Sequence, residues 1–107
     1  MKYKVVLSDQ AILDVRMIYE YIAFEKQAPE TASGFIDRLE KQILKLDEMP
    51  YRFREYDREL WRSRGLRIMP VENFIAFYIP EDENKTVTVI RILYCGQDVH
   101  KHLNKTD

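Results

Sequence analysis

Cysteine occurs once in this chain, at Cys95, so no internal disulfide can form, and a reducing, cytoplasmic location is the expectation. Glycine occurs three times, at positions 34, 65 and 96, and no Gly-rich phosphate-cradling loop can be built from residues so scattered. No run of about 18 apolar residues exists, which excludes a membrane-spanning helix. The first residues turn polar at Ser8-Asp9-Gln10 and lack the apolar core of a signal peptide. A serine-nucleophile motif, a catalytic carboxylate pair, repeats and low-complexity tracts are missing too. His100 and His102 stand two apart with no third ligand cluster, so neither a metal nor a cofactor is expected.

What remains is an ordinary globular composition. With 107 residues, 46% apolar and 33% charged, residues 1–107 form a single domain with one core. The net charge of −1 hides an uneven distribution. Residues 1–50 carry seven Lys/Arg against nine Asp/Glu, residues 51–70 six Arg against three, and residues 71–107 four against six. A nucleic-acid coat would make the whole domain basic. An all-arginine island in an acidic chain suggests one focused, anion-facing patch instead.

Tyr3 to Leu7 predicts a short strand, with Ser8 or Asp9 capping the helix that follows. Ile12, Val15, Ile18 or Tyr19, and Ile22 recur at helical spacing up to Lys26-Gln27-Ala28. Pro29 opens a second helix, whose stripe is Ala32, Phe35, Ile36, Leu39, Ile43, Leu46 and Met49. Residues 51–59 lack a period and predict a surface loop. Leu60 to Met69 predicts a strand broken at Gly65, and Phe74–Ile79 with Thr86–Tyr94 predicts a β-hairpin around an acidic turn. Asp98 to Leu103 suggests one helical turn. The order β-α-α-β-β-β implies an α+β two-layer sandwich, an antiparallel sheet with a helical hairpin on one face and a short C-terminal helical tail. Phe35, Leu39 and Ile43 are expected to face Ile75, Phe77 and Val89.

Five residues and a pair of histidines bear on chemistry. Arg62, Arg64 and Arg67 in W-R-S-R-G-L-R present guanidinium forks suited to phosphate or carboxylate, with Arg62 and Arg64 on one strand face. Against this, Glu55, Asp57 and Glu59 just upstream could make the region a solvated, balanced surface. Arg91 alternates with Val87, Val89 and Leu93, so it needs a partner, and Asp14 is a candidate; it could also stand at the mouth of a site. His100 or His102 could serve as a near-neutral acid or base, or simply be solvated. Cys95 has no basic neighbour to activate it and suggests a small, half-buried residue.

These residues, in this order, resemble the RelE/ParE family of bacterial toxins over nearly the whole chain. The resemblance rests on Y-K-V-V-L-S-D-Q-A-I-L-D-V with I-Y-E-Y-I-A, on I-L-K-L-D-E-M-P, on G-L-R-I-M-P-V-E-N-F-I-A-F-Y, and on V-I-R-I-L-Y-C-G-Q-D-V-H-K-H-L. It implies the toxin of a type II toxin–antitoxin pair, neutralised by a protein antitoxin in a hetero-oligomer and associated with growth inhibition and plasmid stabilization. The resemblance offers two targets. RelE-like members cut messenger RNA in the ribosome with cationic side chains and a C-terminal acid or base; ParE-like members poison DNA gyrase.

Arg67 falls on the family's strand-entry arginine, catalytic in the nucleases, and His102 lies near their C-terminal acid or base. Gln97 stands where nucleases carry arginine, and the loop before Arg62 offers arginines rather than lysines. A metal-free nuclease must stabilise a phosphorane and move two protons. With one fixed cation missing, the sequence favours a ParE-like gyrase poison; a ribosome-dependent endoribonuclease using Arg67 and His102, and a degenerate toxin that only binds antitoxin, remain the alternatives. For partner or phosphate binding the candidates are Arg62, Arg64, Arg67 and Arg91.

Overall fold

The computed structural model describes residues 2–106. Strand β1 (Lys4–Leu7) leads into α1 (Asp9–Glu20), which widens into a π-helical turn over Tyr21–Glu25; α2 spans Pro29–Leu44. After an irregular segment come β2 (Arg67–Val71), β3 (Phe74–Glu81), β4 (Thr86–Tyr94) and a short α3 (Val99–Asn104). Ser8 caps α1: its hydroxyl accepts the Ala11 N–H at 3.0 Å and donates to the Ile90 carbonyl at 2.7 Å. One side chain therefore starts the helix and fastens it to the sheet. Pro29 occupies the first turn of α2, where its missing N–H costs nothing.

The two-layer arrangement is the one predicted, with one correction to the sheet. Its order is β1-β4-β3-β2, and β1 runs parallel to β4 while the other pairs are antiparallel, so the sheet is mixed. The helical hairpin explains this. Its second helix ends beside the start of β1, where the Tyr3 N–H donates to the Asp47 carbonyl at 2.8 Å. The chain thus returns to the end from which it set out, β2 leaves in the direction of β1, and two further reversals leave β4 parallel to it.

Apolar packing divides into two clusters, one on each face. Ala11, Phe35, Leu39, Ile43 and Leu46 from the helical side pack on Met69, Val71, Ala76, Tyr78, Val87, Val89 and Ile92. The opposite face carries Ile68, Phe77 and Leu93, covered by Tyr56, Trp61, Leu66 and Leu103, with Ile75 packed at its margin. Val89 meets the helices as expected, whereas Ile75 and Phe77 lie on the other side. Strand pleating requires that separation from Ala76. Met49, expected in the α2 stripe, is 72% exposed because α2 has already given way to tight turns before it.

The segment before β2 also departs from expectation. Residues 59–65 form a coiled turn, not a strand, closed by Gly65 at a φ of +82° that favours glycine. Trp61 and Leu66, five apart, reach down onto the sheet from this turn, which alternation in a strand would not permit. Arg62 and Arg64 therefore do not share a strand face. Pro70 sits in β2 without disruption because β2 is an edge strand.

Candidate functional site

A cleft of about 680 Å3 opens where α1, the far ends of β3 and β4, and α3 converge. Met17 and Tyr21 form one wall, Phe74 and Tyr94 another, with Arg91 and His102 between them. Its position follows from the length of β1, whose pairing with β4 stops at Leu7 opposite Val89, so the second half of β4 lies open beside α1.

A β-bulge shapes that half. Tyr78 pairs with Val89 and Phe77 with Arg91, leaving Ile90 without a partner. Val89 and Arg91 therefore do not share the pleated face that the sequence suggested, and Arg91 reaches sideways to Asp14. Its Nε and Nη2 donate to the two Asp14 carboxylate oxygens at 2.7 and 2.9 Å, and Asp14 also accepts the Ile92 N–H at 2.9 Å. Nη1 of Arg91 donates to the Thr106 hydroxyl at 3.0 Å and points at the His102 carbonyl at 3.5 Å. Both charges are nearly buried, and the fork geometry satisfies them together. Arg91 is thereby tied to α1 and the C-terminal tail, in the pairing its sequence context called for.

Gln97 has a local task. Its Oε1 accepts the Tyr94 N–H at 2.8 Å, closing the turn after β4, and its Nε2 lies 3.4 Å from Nε2 of His102. His100 is occupied differently: its Nδ1 lies 3.0 Å from the buried Tyr56 hydroxyl, and Asn104 approaches Nε2 at 3.2 Å. Burial pushes the Tyr56 phenol up from its usual range.

Arg67 stands at the start of β2, two strands away from Arg91 in the sheet, and does not line the cleft that holds His102. Its Nη1 donates to the Phe53 and Tyr51 carbonyls at 2.6 and 3.2 Å, and its guanidinium lies 4.9 Å from the Tyr51 ring centre. It holds the 50s segment against the sheet edge. Beside it, the fully buried Tyr78 donates its hydroxyl to the Pro50 carbonyl at 2.6 Å. Burial raises the Tyr78 phenol from near 10 to about 12. The unfolded chain therefore loses this proton first. The stabilisation is whole below about pH 10 and is lost as pH climbs through about 12. In alkaline unfolding titrations Tyr78→Phe should flatten this decline; an unchanged slope would show that the phenol does not govern it.

Arg62 and Arg64 are exposed, and Arg64 stacks 4.2 Å from the Trp61 ring centre. Arg52 stacks on Phe53 at 5.2 Å. Among the described residues neither these nor Arg54 and Arg58 form an ion pair, despite the acidic residues interleaved with them. Glu59 is engaged by the Ser63 hydroxyl instead. The structure thus brings Arg91 and His102 into one cleft, leaves Arg62 and Arg64 on the coiled turn, and places Arg67 outside that cleft. Cys95 is exposed rather than half-buried.

The surface that sequence reasoning missed lies on α1. Leu13, Met17, Tyr21 and Phe24 are 46%, 58%, 52% and 68% exposed, at spacings of four and three that put them along one helix face. Ile12, placed in the core stripe by its spacing, is exposed as well. Helix α1 is apolar on two sides, and only one can pack. The signal was present as a second set of residues at helical period beside the first.

A family profile described as "ParE toxin of type II toxin-antitoxin system, parDE" matches residues 5–99. The chain belongs to the ParE toxin family. Solved structures share the fold at low identity. The chromosomal ParDE toxin–antitoxin system from P. aeruginosa is 20% identical with a TM-score of 0.68, over 87% of this chain and 96% of that one. The RelBE2 toxin–antitoxin complex from Mycobacterium tuberculosis is 20% identical with a TM-score of 0.62, over 88% and 92%. A mutant of the E. coli toxin RelE in the free state is 17% identical with a TM-score of 0.67, over 98% and 97%. No curated protein matches significantly. Members of both named toxin groups thus share this ParE-family architecture.

Proposed function

We propose that this ParE-family chain arrests growth as a DNA gyrase poison and is neutralised by a cognate antitoxin bound along α1. The observation that carries the target is the fate of Arg67. Both carbonyls it grips belong to its own 50s segment, and no basic residue joins His102 in the cleft other than Lys26 and the already paired Arg91. Cleaving RNA without metal calls for a cation on the developing phosphorane and a proton carrier beside it. Here the two candidates for those tasks are held in different places, and Gln97 spends its amide on a turn. A gyrase poison needs a shaped surface rather than such a set.

For the antitoxin, the exposed apolar row on α1 continues through Met17 and Tyr21 into the cleft wall. A helical segment with apolar residues three and four apart fits that row. The unpaired arginines of residues 52–64 would speed encounter with an acidic partner.

Induction of the toxin with and without its antitoxin, read for DNA damage and for messenger RNA integrity, tests both parts. The expected result is a DNA-damage response with intact messenger RNA, unchanged by His102→Ala. Met17→Glu with Tyr21→Glu should arrest growth yet escape neutralisation. Ribosome-dependent cuts that vanish with Arg67→Ala would overturn the gyrase reading, and absence of any arrest would mark a toxin that only binds antitoxin.

A further inference from the structure

Among the described residues no element covers the β1 edge of the sheet. On its inner side β1 is tied to the neighbouring strand: the Lys4 N–H donates to the Lys85 carbonyl at 2.7 Å and the Ser8 N–H to the Val89 carbonyl at 2.9 Å. Alternation along a strand then turns the N–H and C=O of Val5 and Leu7 away from β4, toward the open side. β1 is the terminal strand in the sheet order, so among the described residues no strand receives them. Immediately beneath that edge lies an apolar groove of about 140 Å3, lined by Val5, Leu7, Val15, Ile36, Ile43 and Leu44. Leu44 is 53% exposed at its rim. An unpaired strand edge above an apolar trough is a template for one more strand.

We infer that this edge pairs with the β1 edge of a second copy of the chain, antiparallel about a two-fold axis through Val6, to make one continuous sheet. The register is self-complementary. With the axis at Val6, Val5 faces Leu7 of the second copy and Leu7 faces its Val5, so the outward groups of both strands are used in two hydrogen-bonded pairs. Lys4 then stands opposite Ser8 of the second copy, beside Asp9, and both Lys4 and Asp9 are exposed. The basic end of each strand meets the acidic start of the other copy's α1, an arrangement repeated by the symmetry. A slip of one residue would turn the outward groups out of register and leave them unpaired. The apolar troughs of the two copies would meet beneath the new pair. This edge lies apart from the Met17–Tyr21 row assigned to the antitoxin, so the two associations are separable.

Five variants of the full chain test the arrangement. Val6→Cys, in a Cys95→Ser background, places two thiols in a non-hydrogen-bonded pair whose Cα atoms stand about 4.5 Å apart, within the range of about 4.4–6.8 Å that disulfides accept. It should form a covalent dimer under mild oxidation. Thr88→Cys, one strand further in and opposite Val6 of its own chain, should not. Val5→Pro removes an N–H that no partner among the described residues uses, and should leave a folded monomer in sedimentation velocity from micromolar to near-millimolar concentration. Lys4→Glu should weaken association about tenfold or more, and Lys4→Glu with Asp9→Lys should restore it. That rescue keeps the test valid even if Val5→Pro disturbs the fold. A chain monomeric at every concentration would overturn the inference. So would a dimer that ignores the charge reversal or fails to trap the Val6→Cys disulfide, because its interface would then lie elsewhere, or a strand captured only from the antitoxin.

Discussion

Asp14→Ala is expected to destabilise the chain by about 3–5 kcal/mol, the cost of leaving a nearly buried guanidinium without its counter-charge. Asp14 receives two N–H groups of Arg91 and the backbone N–H of Ile92, at 2.7 to 2.9 Å. Removing the carboxylate strands three donors at once, two of them charged. The effect should exceed the worth of the pair itself. Replacing both partners by leucine, which leaves no orphaned charge, should recover much of the loss. Urea unfolding of Asp14→Ala and of the double leucine variant measures this, with constant m-values required for the comparison. A single-variant loss below about 1 kcal/mol would mean that water reaches Arg91 and replaces the carboxylate.

Leu39→Ala should cost about 2–5 kcal/mol, the usual span for a buried leucine truncated in a packed core. Leu39 is 1% exposed in the middle of α2 and belongs to the cluster that joins both helices to the sheet. Its loss opens a cavity flanked by strand residues that cannot follow it inward. Ile12→Ala on the exposed side of α1 should change stability little by comparison, since its side chain is 56% exposed. Equal losses at the two positions would show that the helices do not pack as described.

The elements that sequence reasoning located well are those whose period is sustained. Phe35, Leu39 and Ile43 recur at helical spacing and are buried together, and Thr86 to Tyr94 is a strand with an acidic turn before it. Arg91 was readable as a charge in search of a partner, because an arginine among alternating apolar residues has few other options. What escaped notice was of two kinds. Where a segment is apolar on more than one side, as in α1, periodicity cannot say which side packs. Where apolar residues pack from a turn, as Trp61 and Leu66 do, no period exists to detect them, and a strand was read where a coil closes at Gly65. The cleft was least legible. It depends on where β1 ends, on the bulge at Ile90, and on three segments far apart in the chain meeting at one corner.

Because β1 pairs with β4, residue 4 waits for residue 86, and the Asp14 carboxylate waits for the main chain at Ile92. Until then helix α1 has the second helix but not the sheet to pack on, and a fold built on pairings so distant along the chain is slow to form. During synthesis the first four-fifths of the polypeptide can coil and collapse, but the sheet closes only when its last strand emerges. Incomplete products are therefore left without a finished sheet and open to proteolysis. If the chain acts as the toxin proposed above, it gains its shape only as it leaves the ribosome, which narrows the interval in which an antitoxin has to find it.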